Sequence, residues 1–224
     1  MVQLFDFENI PITVLDNDGK ITYWDNFLTE NEAINLFNQL LTDSEWKEEM
    51  ISVYGKRYQQ PRLTCWYGEY GVLADGGYQA IAKAMPLTAS LQFLKDKIEQ
   101  ETGYRFNCIL ANLYRDENDS VGYHADDEPI LGINPVIASY SLGETRRFLV
   151  KHNQQTYNSL KVDLTNNSLL LMDGCLQHFW QHAIPKTKRP MNARINLTFR
   201  LMPAENKFLS PLIRKGTWIF KSPQ

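Results

Sequence analysis

Apolar residues in the first half of the chain recur at helical spacing in two segments. In the first segment they follow a capping-box sequence, Thr29-Glu30-Asn31-Glu32, and comprise Ala33, Ile34, Phe37, Leu40 and Leu41. In the second segment they stand at i, i+4, i+7 and i+11 ahead of Gly103, a residue type that often ends a helix, and comprise Leu87, Leu91, Leu94 and Ile98. Both patterns predict amphipathic helices that serve packing.

From about residue 105 the hydrophobic period changes from 3.6 to 2. Short β-rich runs follow one another, separated by turn-forming residues, at 108–114, 136–142, 147–152, 161–164, 168–172, 179–184 and 195–199. Many short strands at regular spacing are typical of a sandwich, a barrel or a jelly roll. The pattern therefore predicts a helical amino-terminal half that packs on a β-rich carboxy-terminal half.

The composition is that of an ordinary globular protein. Of 224 residues, 43% are hydrophobic and 22% are charged, and neither a repeat nor a long linker divides the chain, so we expect one structural domain. No apolar run reaches the ~18 residues of a membrane span. The acidic start is unlike a signal peptide, and three widely spaced cysteines do not form a disulfide framework. We expect an intracellular protein that is not secreted, cytoplasmic in a bacterium or nuclear in a eukaryote, without a membrane partner.

The net charge of −3 conceals a gradient along the chain. Residues 1–50 hold eleven acidic and two basic residues, whereas residues 183–224 hold nine basic residues and one acidic residue. Such asymmetry indicates a polyanionic partner. A solvated basic surface without a partner explains the charge equally well, so charge alone leaves both interpretations open.

A histidine and a carboxylate at i and i+2 form a candidate metal site. His124 and Asp126 would project to the same side of an extended chain. One more histidine from a distant strand would complete a 2-His-1-carboxylate facial triad, which holds Fe(II) and leaves coordination positions open for co-substrate and oxygen. The pair alone is weak evidence, because an acid-rich surface loop gives the same pattern.

Polar and apolar residues alternate strictly between Arg194 and Arg200. One face of this predicted strand carries two guanidinium groups, an amide and a hydroxyl, from Arg194, Asn196, Thr198 and Arg200. Two arginines in a cavity are costly unless an anion neutralises them, and a dicarboxylate would use both. Asn112 and Tyr114, another i, i+2 pair, can add hydrogen bonds to the same anion. The alternative is an exposed edge strand that carries surface charge.

Four segments in this order resemble the AlkB family, the Fe(II)- and 2-oxoglutarate-dependent dioxygenases that demethylate alkylated nucleobases. They are NLYRDENDSVGYHADDE (112–128), SYSLG (139–143), HFWQHAIP (178–185) and RINLTFR (194–200). The similarity runs from about Val53 to Arg200 and is greatest to the branch that acts on duplex DNA.

The resemblance implies an α+β fold. Its core would be a double-stranded β-helix, or jelly roll, with amino-terminal helices and a nucleotide-recognition lid. We expect residues 1–104 to form the helical extension with the lid, residues 105–203 the dioxygenase core, and residues 204–224 a basic tail that packs on the core, all within one structural domain.

The resemblance also assigns roles to individual residues. Fe(II) would be bound by His124, Asp126 and His182. His178 competes for the third position because it and His182 would face the same side of an extended strand, but the family's HxxP-like ending favours His182. The pocket for 2-oxoglutarate would be formed by Asn112, Tyr114, Arg194, Asn196, Thr198 and Arg200.

Substrate contacts are implied at four further positions. Glu128 matches an acidic residue that touches the base, and Tyr54 lies in a segment (52–56) similar to a hairpin that inserts an aromatic side chain into the DNA stack. Trp66 and Tyr78 are candidates for stacking on the flipped base. Packing in the core is an alternative role for each of these aromatic residues.

The resemblance therefore implies oxidative demethylation of 1-methyladenine and 3-methylcytosine in DNA, which converts 2-oxoglutarate and O2 to succinate, CO2 and formaldehyde. The expected partners are alkylated DNA, single- or double-stranded, with RNA as a second candidate, and the protein is expected to be a monomer. One alternative is the same chemistry on methylated RNA or protein. Alternatives of another class are a non-catalytic nucleic-acid-binding module and a zinc hydrolase that uses His124, His178 and His182.

Overall fold

The computed structural model describes residues 10–53, 56–69, 71–75, 78–82 and 84–202, with the backbone alone at 51–53, 56, 71–75 and 78–82. The helices in this part of the chain are α1 (Glu30–Asp43), α2 (Ala89–Thr102) and the single turn α3 (Leu176–Phe179). The strands are β1 (Ile12–Asp16), β2 (Lys20–Trp24), β3 (Met50–Val53), β4 (Lys56–Gln59), β5 (Leu63–Gly68), β6 (Gly71–Asp75), β7 (Tyr78–Ala82), β8 (Cys108–Tyr114), β9 (Val121–His124), β10 (Ile137–Gly143), β11 (Arg146–His152), β12 (Leu160–Leu164), β13 (Ser168–Asp173), β14 (Trp180–Ile184) and β15 (Arg194–Arg200).

Two antiparallel sheets form the core. The larger sheet has seven strands in the order β1-β2-β13-β10-β15-β8-β5, and the smaller has four in the order β12-β11-β14-β9. A cluster of buried side chains joins them, with Leu170 and Met172 from the larger sheet and Phe148, Val150 and Ile184 from the smaller one. Two antiparallel sheets packed face to face around one core confirm the predicted jelly roll.

The two long helices cover the outer face of the seven-stranded sheet. Buried residues of α1 and α2, such as Leu36 and Leu94, pack in one cluster with Ile195, Leu197 and Phe199 of β15. The apolar face of β15 is therefore turned to the helices, and its polar face is turned to the space between the sheets.

Both predicted helices are confirmed, with the predicted start of α1 and the predicted end of α2. The backbone N–H of Glu32 donates to the Thr29 hydroxyl while the Glu32 carboxylate accepts from the Thr29 N–H, which completes the capping box. Helix α2 ends at Gly103, whose φ of 76° is accessible to glycine without strain. Leu87 lies just before α2, because Thr88 is the N-cap residue of this helix and Ala89 is its first residue.

The sheet pairing brings together strands from distant parts of the chain. All seven predicted strand runs are confirmed within one or two residues as β8 and β10–β15. β2 pairs with β13, and β5 pairs with β8. The larger sheet therefore combines strands from before and after residue 105, where the sequence pattern had predicted a change from helices to strands. The pattern analysis assigned no strand to residues 12–24. Among the described helices, none combines the length and apolar character that a membrane crossing requires.

Candidate active site

Two neighbouring strands of the smaller sheet bring a histidine pair and a carboxylate together. His124 at the end of β9 is the cross-strand partner of His182 on β14, and Asp126 follows two residues later. One candidate ligand atom from each residue lies within 4.8 Å of the other two. The sequence-predicted metal residues therefore meet at one point between the sheets, in the arrangement of a facial triad.

Each of the three side chains is held in a form suited to binding a metal. Nδ1 of His124 lies 2.9 Å from the Gly122 carbonyl, which can only accept a hydrogen bond, so in the neutral imidazole the lone pair available to a metal is on Nε2. Burial and the nearby His124 lower the pKa of His182 to about 3, which keeps that imidazole neutral. Burial alone would raise the pKa of Asp126, but the charge of Arg200, which also donates a hydrogen bond to this carboxylate, outweighs burial and lowers the pKa.

The expectation that His178 and His182 share one face of a strand was wrong. His178 lies in the helical turn α3, where its Nε2 is 3.0 Å from Oδ1 of Asn134, whereas His182 lies on β14. The candidate metal cluster found among the described residues contains Asp126 and not His178. The zinc-hydrolase interpretation, which needs three clustered histidines, loses its third ligand.

The polar stripe of β15 lines a cavity next to the metal residues. β15 is an interior strand paired with β10 and β8, which excludes the exposed-edge interpretation. Its register sets Arg194 opposite Tyr114 and Asn196 opposite Asn112. All six predicted co-substrate residues line a cavity of about 60 Å³, here called the smaller cavity, together with the three metal residues.

Arg194, at the far end of this stripe, has no carboxylate partner in the part of the chain that the structure describes. The residue is 1% exposed, its guanidinium lies 5.1 Å from the centre of the Tyr114 ring, and one nitrogen donates to the Ser141 hydroxyl. Its Nε and Nη1 have no hydrogen-bond partner among the described residues, and burial lowers its pKa to about 10. A carboxylate would satisfy both free donors, so the residues present fit a dicarboxylate such as 2-oxoglutarate.

A hydrogen-bond chain fixes the middle of the smaller cavity. Nε of Arg62 donates to Asn112 at 2.8 Å, the Asn112 amide donates to Asn196 at 3.2 Å, and the Asn196 amide donates to Ser139 at 2.8 Å. Thr198 adds a bond to Asn196 at 3.0 Å. Amide orientations are thereby determined, because each oxygen faces a donor.

The sequence patterns did not identify Arg62 and Ser139, which line the smaller cavity, or Arg146 and Ser141, which contact its residues Tyr114 and Arg194. Arg146 is 2% exposed; it donates to the Asp116, Asp119 and Pro185 carbonyls, and its guanidinium lies 5.5 Å from the centre of the Tyr114 ring. Tyr114 is therefore held between two guanidinium groups. Ser139 and Ser141 are at i and i+2 within the quoted SYSLG motif, a spacing that could have identified them as facing one side.

A larger cavity of about 270 Å³ adjoins the metal residues. Arg62, His124, Asp126 and Arg200 line both cavities, whereas Trp66 and Glu128 line the larger one. Arg200 also donates to Asp126, and its guanidinium lies 5.8 Å from the centre of the Trp66 ring. The larger cavity therefore places two of the predicted substrate residues next to the metal site.

The other two predicted substrate residues are not described at the side-chain level. Tyr54 lies outside the described residues, between the paired strands β3 and β4. Tyr78 begins β7, and its side chain lies outside what the structure describes. The backbone pairing of β3 with β4 agrees with the hairpin expected around residues 52–56.

Comparison with known proteins identifies the family. The model of the 2OG-Fe(II) oxygenase superfamily matches residues 20–200. Bovine alpha-ketoglutarate-dependent dioxygenase alkB homolog 3 is 40% identical over 195 residues, which cover 78% of this chain and 63% of that protein. The human protein of the same name is 38% identical, over 81% of this chain and 66% of its own length. This chain thus spans slightly less than two thirds of these relatives.

Two further proteins are similar to this chain. Mouse DNA oxidative demethylase ALKBH2 is 32% identical over 180 residues, covering 75% of this chain and 74% of that protein. The structure of OsALKBH1 superimposes with a TM-score of 0.61 at 17% identity, covering 85% of this chain and 100% of that one, and supports the fold. The chain therefore belongs to the 2OG-Fe(II) oxygenase superfamily and, within it, to the AlkB family.

Proposed function

We propose that this protein is a DNA repair dioxygenase that uses Fe(II), 2-oxoglutarate and O2 to demethylate 1-methyladenine and 3-methylcytosine. The observation that carries the proposal is the junction of two cavities at the His124, Asp126 and His182 cluster. One cavity offers buried guanidinium groups for a dicarboxylate, and the other offers a carboxylate and an indole for a base.

The three metal residues would hold Fe(II) by one face, and Gln177 supports them because its amide oxygen accepts from the Asp126 backbone N–H at 2.9 Å. Bound iron with 2-oxoglutarate and O2 supplies an oxidation that hydroxylates the N-methyl group, which leaves as formaldehyde while CO2 and succinate form. The side chains of the protein make the other contributions. They bind and orient the co-substrate and the base, and they exclude water.

Arg194 would bind the far carboxylate of 2-oxoglutarate, with Ser141 and the Tyr114 ring fixing its guanidinium. Arg200 lies at the metal end of β15, where it donates to Asp126. Both arginines are nearly inaccessible to solvent, so their attraction for an anion is weakly screened. The two arginines differ in that Arg200 is paired with Asp126, whereas Arg194 has no carboxylate partner among the described residues. This difference between the two ends of β15 would fix the direction in which the co-substrate binds.

The larger cavity has the size of a compact small-molecule site, and a base inside a duplex can reach it only by leaving the stack. Extrusion costs a few kcal/mol, less for a methylated base that pairs poorly. 1-methyladenine and 3-methylcytosine carry a positive charge, which suits the Glu128 carboxylate in the cavity wall. Trp66 supplies an aromatic surface beside it.

The binding partner would be alkylated DNA, single- or double-stranded, with RNA as a second candidate, and the protein would act as a monomer inside the cell. Lys186, Lys188 and Arg189 are exposed after β14 and offer phosphate contacts. Four more bases lie in the tail beyond Met202. The alkB homolog 3 and ALKBH2 relatives support the proposal by similarity.

Mass spectrometry of methylated oligonucleotides incubated with the protein, Fe(II) and 2-oxoglutarate tests this function. We expect loss of one methyl group per succinate formed on DNA that carries 1-methyladenine or 3-methylcytosine. Methylated RNA and a methylated peptide, under the same conditions, distinguish the alternative substrates. Demethylation of the peptide alone would refute the DNA assignment, and succinate formation without any demethylation would refute the repair activity.

Tyr54→Ala is expected to reduce activity on duplex DNA more than on single strands, because only a duplex leaves a gap for an aromatic side chain to fill. The measurement is kcat/KM on the same methylated sequence in both forms. Tyr58→Ala, in the stem of the same hairpin and half exposed, is the matched control. An equal loss of activity on both DNA forms in the Tyr54 variant would exclude the intercalating role.

A further inference from the structure

One wall of the larger cavity is built by a single extended segment. Gln60, Arg62, Thr64 and Trp66 stand at every second position, and all four line this cavity. The residues between them behave differently, since Cys65 and Tyr67 are buried in the cluster beneath the helices and Leu63 packs against it. Within β5 the period of two sets Thr64 and Trp66 on one face, and Gln60 and Arg62, just before the strand, reach the same cavity.

Two of these residues are buried polar groups with unused hydrogen-bonding capacity. Gln60 is 8% exposed and Thr64 is 2% exposed. The Gln60 Oε1 and Thr64 Oγ1 atoms are both inaccessible and have no hydrogen-bond partner in the part of the chain that the structure describes. Arg62, between them, is by contrast bonded to Asn112. Burying such a group without a partner is unfavourable, so a ligand that satisfies both atoms would bind more tightly.

A third buried acceptor comes from the loop that follows the metal residue Asp126. Oε2 of Glu128 is also buried without a partner among the described residues, and Glu128 lines the same cavity. A carboxylate oxygen, an amide oxygen and a hydroxyl oxygen thus meet one cavity, and all three can accept hydrogen bonds. A ligand group with several N–H donors complements these three oxygens, and the buried Nε1 of Trp66 in the same wall offers one donor to an acceptor elsewhere on the ligand.

The backbone holds the two acceptors in place before any ligand binds. Thr64 exchanges two backbone hydrogen bonds with Lys47, both 2.9 Å, and is the cross-strand partner of Asn112. The Gln60 N–H donates to the Glu49 carbonyl at 2.8 Å. The backbone of Thr64 is therefore fixed by neighbours on either side and that of Gln60 by one neighbour, and a fixed backbone favours precise recognition.

We propose that Gln60 and Thr64 are specificity-determining residues whose side-chain oxygens accept hydrogen bonds from the exocyclic amino group of a methylated adenine or cytosine. This inference rests on the proposed function, because it concerns the base that enters the larger cavity. A base with a keto oxygen at the same place has no hydrogen to donate, so Gln60 Oε1 would stay unsatisfied and would face another acceptor, while the Thr64 hydroxyl would have to turn and act as the donor. The pair would therefore select amino-bearing lesions over keto-bearing ones.

Isosteric variants test the assignment. Thr64→Val and Gln60→Met remove the polar atoms while nearly keeping side-chain volume. The substrates are oligonucleotides with 3-methylcytosine or 3-methyluracil, whose rings differ in the exocyclic group. Each variant is expected to lower kcat/KM for 3-methylcytosine by about five- to tenfold, the value of one hydrogen bond, with a much smaller effect on 3-methyluracil. An equal change on both substrates, or none on either, would overturn the proposal.

Controls separate this test from folding and from the proposed function. Thr22→Val alters a buried threonine on β2, away from either cavity, and should change neither substrate. Thr64→Ser restores a hydroxyl and should recover most of the selectivity lost in Thr64→Val. If the unaltered protein demethylates neither base, the proposed function fails. If the unaltered protein demethylates 3-methylcytosine and the variants still prefer 3-methylcytosine to 3-methyluracil, the proposed function stands and only the role of Gln60 and Thr64 is refuted.

Discussion

His182→Ala should abolish both succinate formation and DNA demethylation, whereas His178→Ala should leave both near the level of the unaltered protein. His182 belongs to the cluster with His124 and Asp126, while His178 lies in α3 beside Asn134. A lost ligand should cost more than the roughly 10- to 100-fold typical of residues that only support ligands, and we expect at least about a thousandfold. Succinate and formaldehyde are the two products to measure.

Anaerobic calorimetry of Fe(II) binding distinguishes a lost ligand from a damaged fold. The His182 variant should lose most of its iron affinity while it keeps the circular dichroism spectrum of the unaltered protein. His124→Ala and Asp126→Ala should behave in the same way. Full activity in any of these three variants, or an equal loss in His178→Ala, would refute the metal assignment.

Arg194→Met is expected to leave the ligand-free protein at least as stable as before while it removes most of the affinity for 2-oxoglutarate. In the free protein this guanidinium is buried without a carboxylate, so its removal relieves a desolvation cost. When co-substrate is bound, the same change leaves a carboxylate buried without its partner. Truncation of such a pair costs about 2–5 kcal/mol, which predicts a rise in the KM for 2-oxoglutarate of about 30-fold or more.

Thermal unfolding with and without 2-oxoglutarate and metal measures both effects together. The unaltered protein should gain stability with ligand concentration, and the Arg194 variant should not respond at the same concentrations. Arg147→Met is the control, since Arg147 is exposed and paired with Asp163. A destabilised free protein with normal 2-oxoglutarate affinity would show that Arg194 serves the fold and not the co-substrate.

The strands that form the co-substrate wall could be predicted because burial on both sides gave them a clear signature. In β15 the apolar residues face the helices and the polar ones face the smaller cavity, so alternation was visible in the sequence. β1 and β2 could not be predicted in this way. They are short, and β2 is held by pairing with β13, about 150 residues later, which a local pattern does not contain.

Local turns limited the prediction of the site itself. The segment from His178 to His182 was treated as one extended strand, but a helical turn occupies its first half and changes the direction of His178. Gly19 illustrates the same limit. Its φ is 122°, and a Cβ there would lie 2.4 Å from the Leu176 backbone, so the β1–β2 turn packs against α3 in a way that only the folded chain reveals.

The sequence of the segment Gln60–Trp66 gives only weak signs of the strand that it contains. Pro61 argues against a central strand, and Thr64 separates two apolar residues in the manner of any half-buried strand. β5 is in fact an edge strand of the larger sheet, where a proline is tolerated. The roles of Ser139, Ser141 and Arg146 depend on cross-strand register, which no single-strand pattern fixes.

The position of Arg62 connects the two cavities physically. It lines both of them, and through Asn112 it is bonded to the side chain at the centre of the co-substrate wall. Any restraint that 2-oxoglutarate places on this wall also restrains the surface that meets the base. Because linkage is reciprocal, a base that binds more tightly to the loaded protein must itself retain the co-substrate.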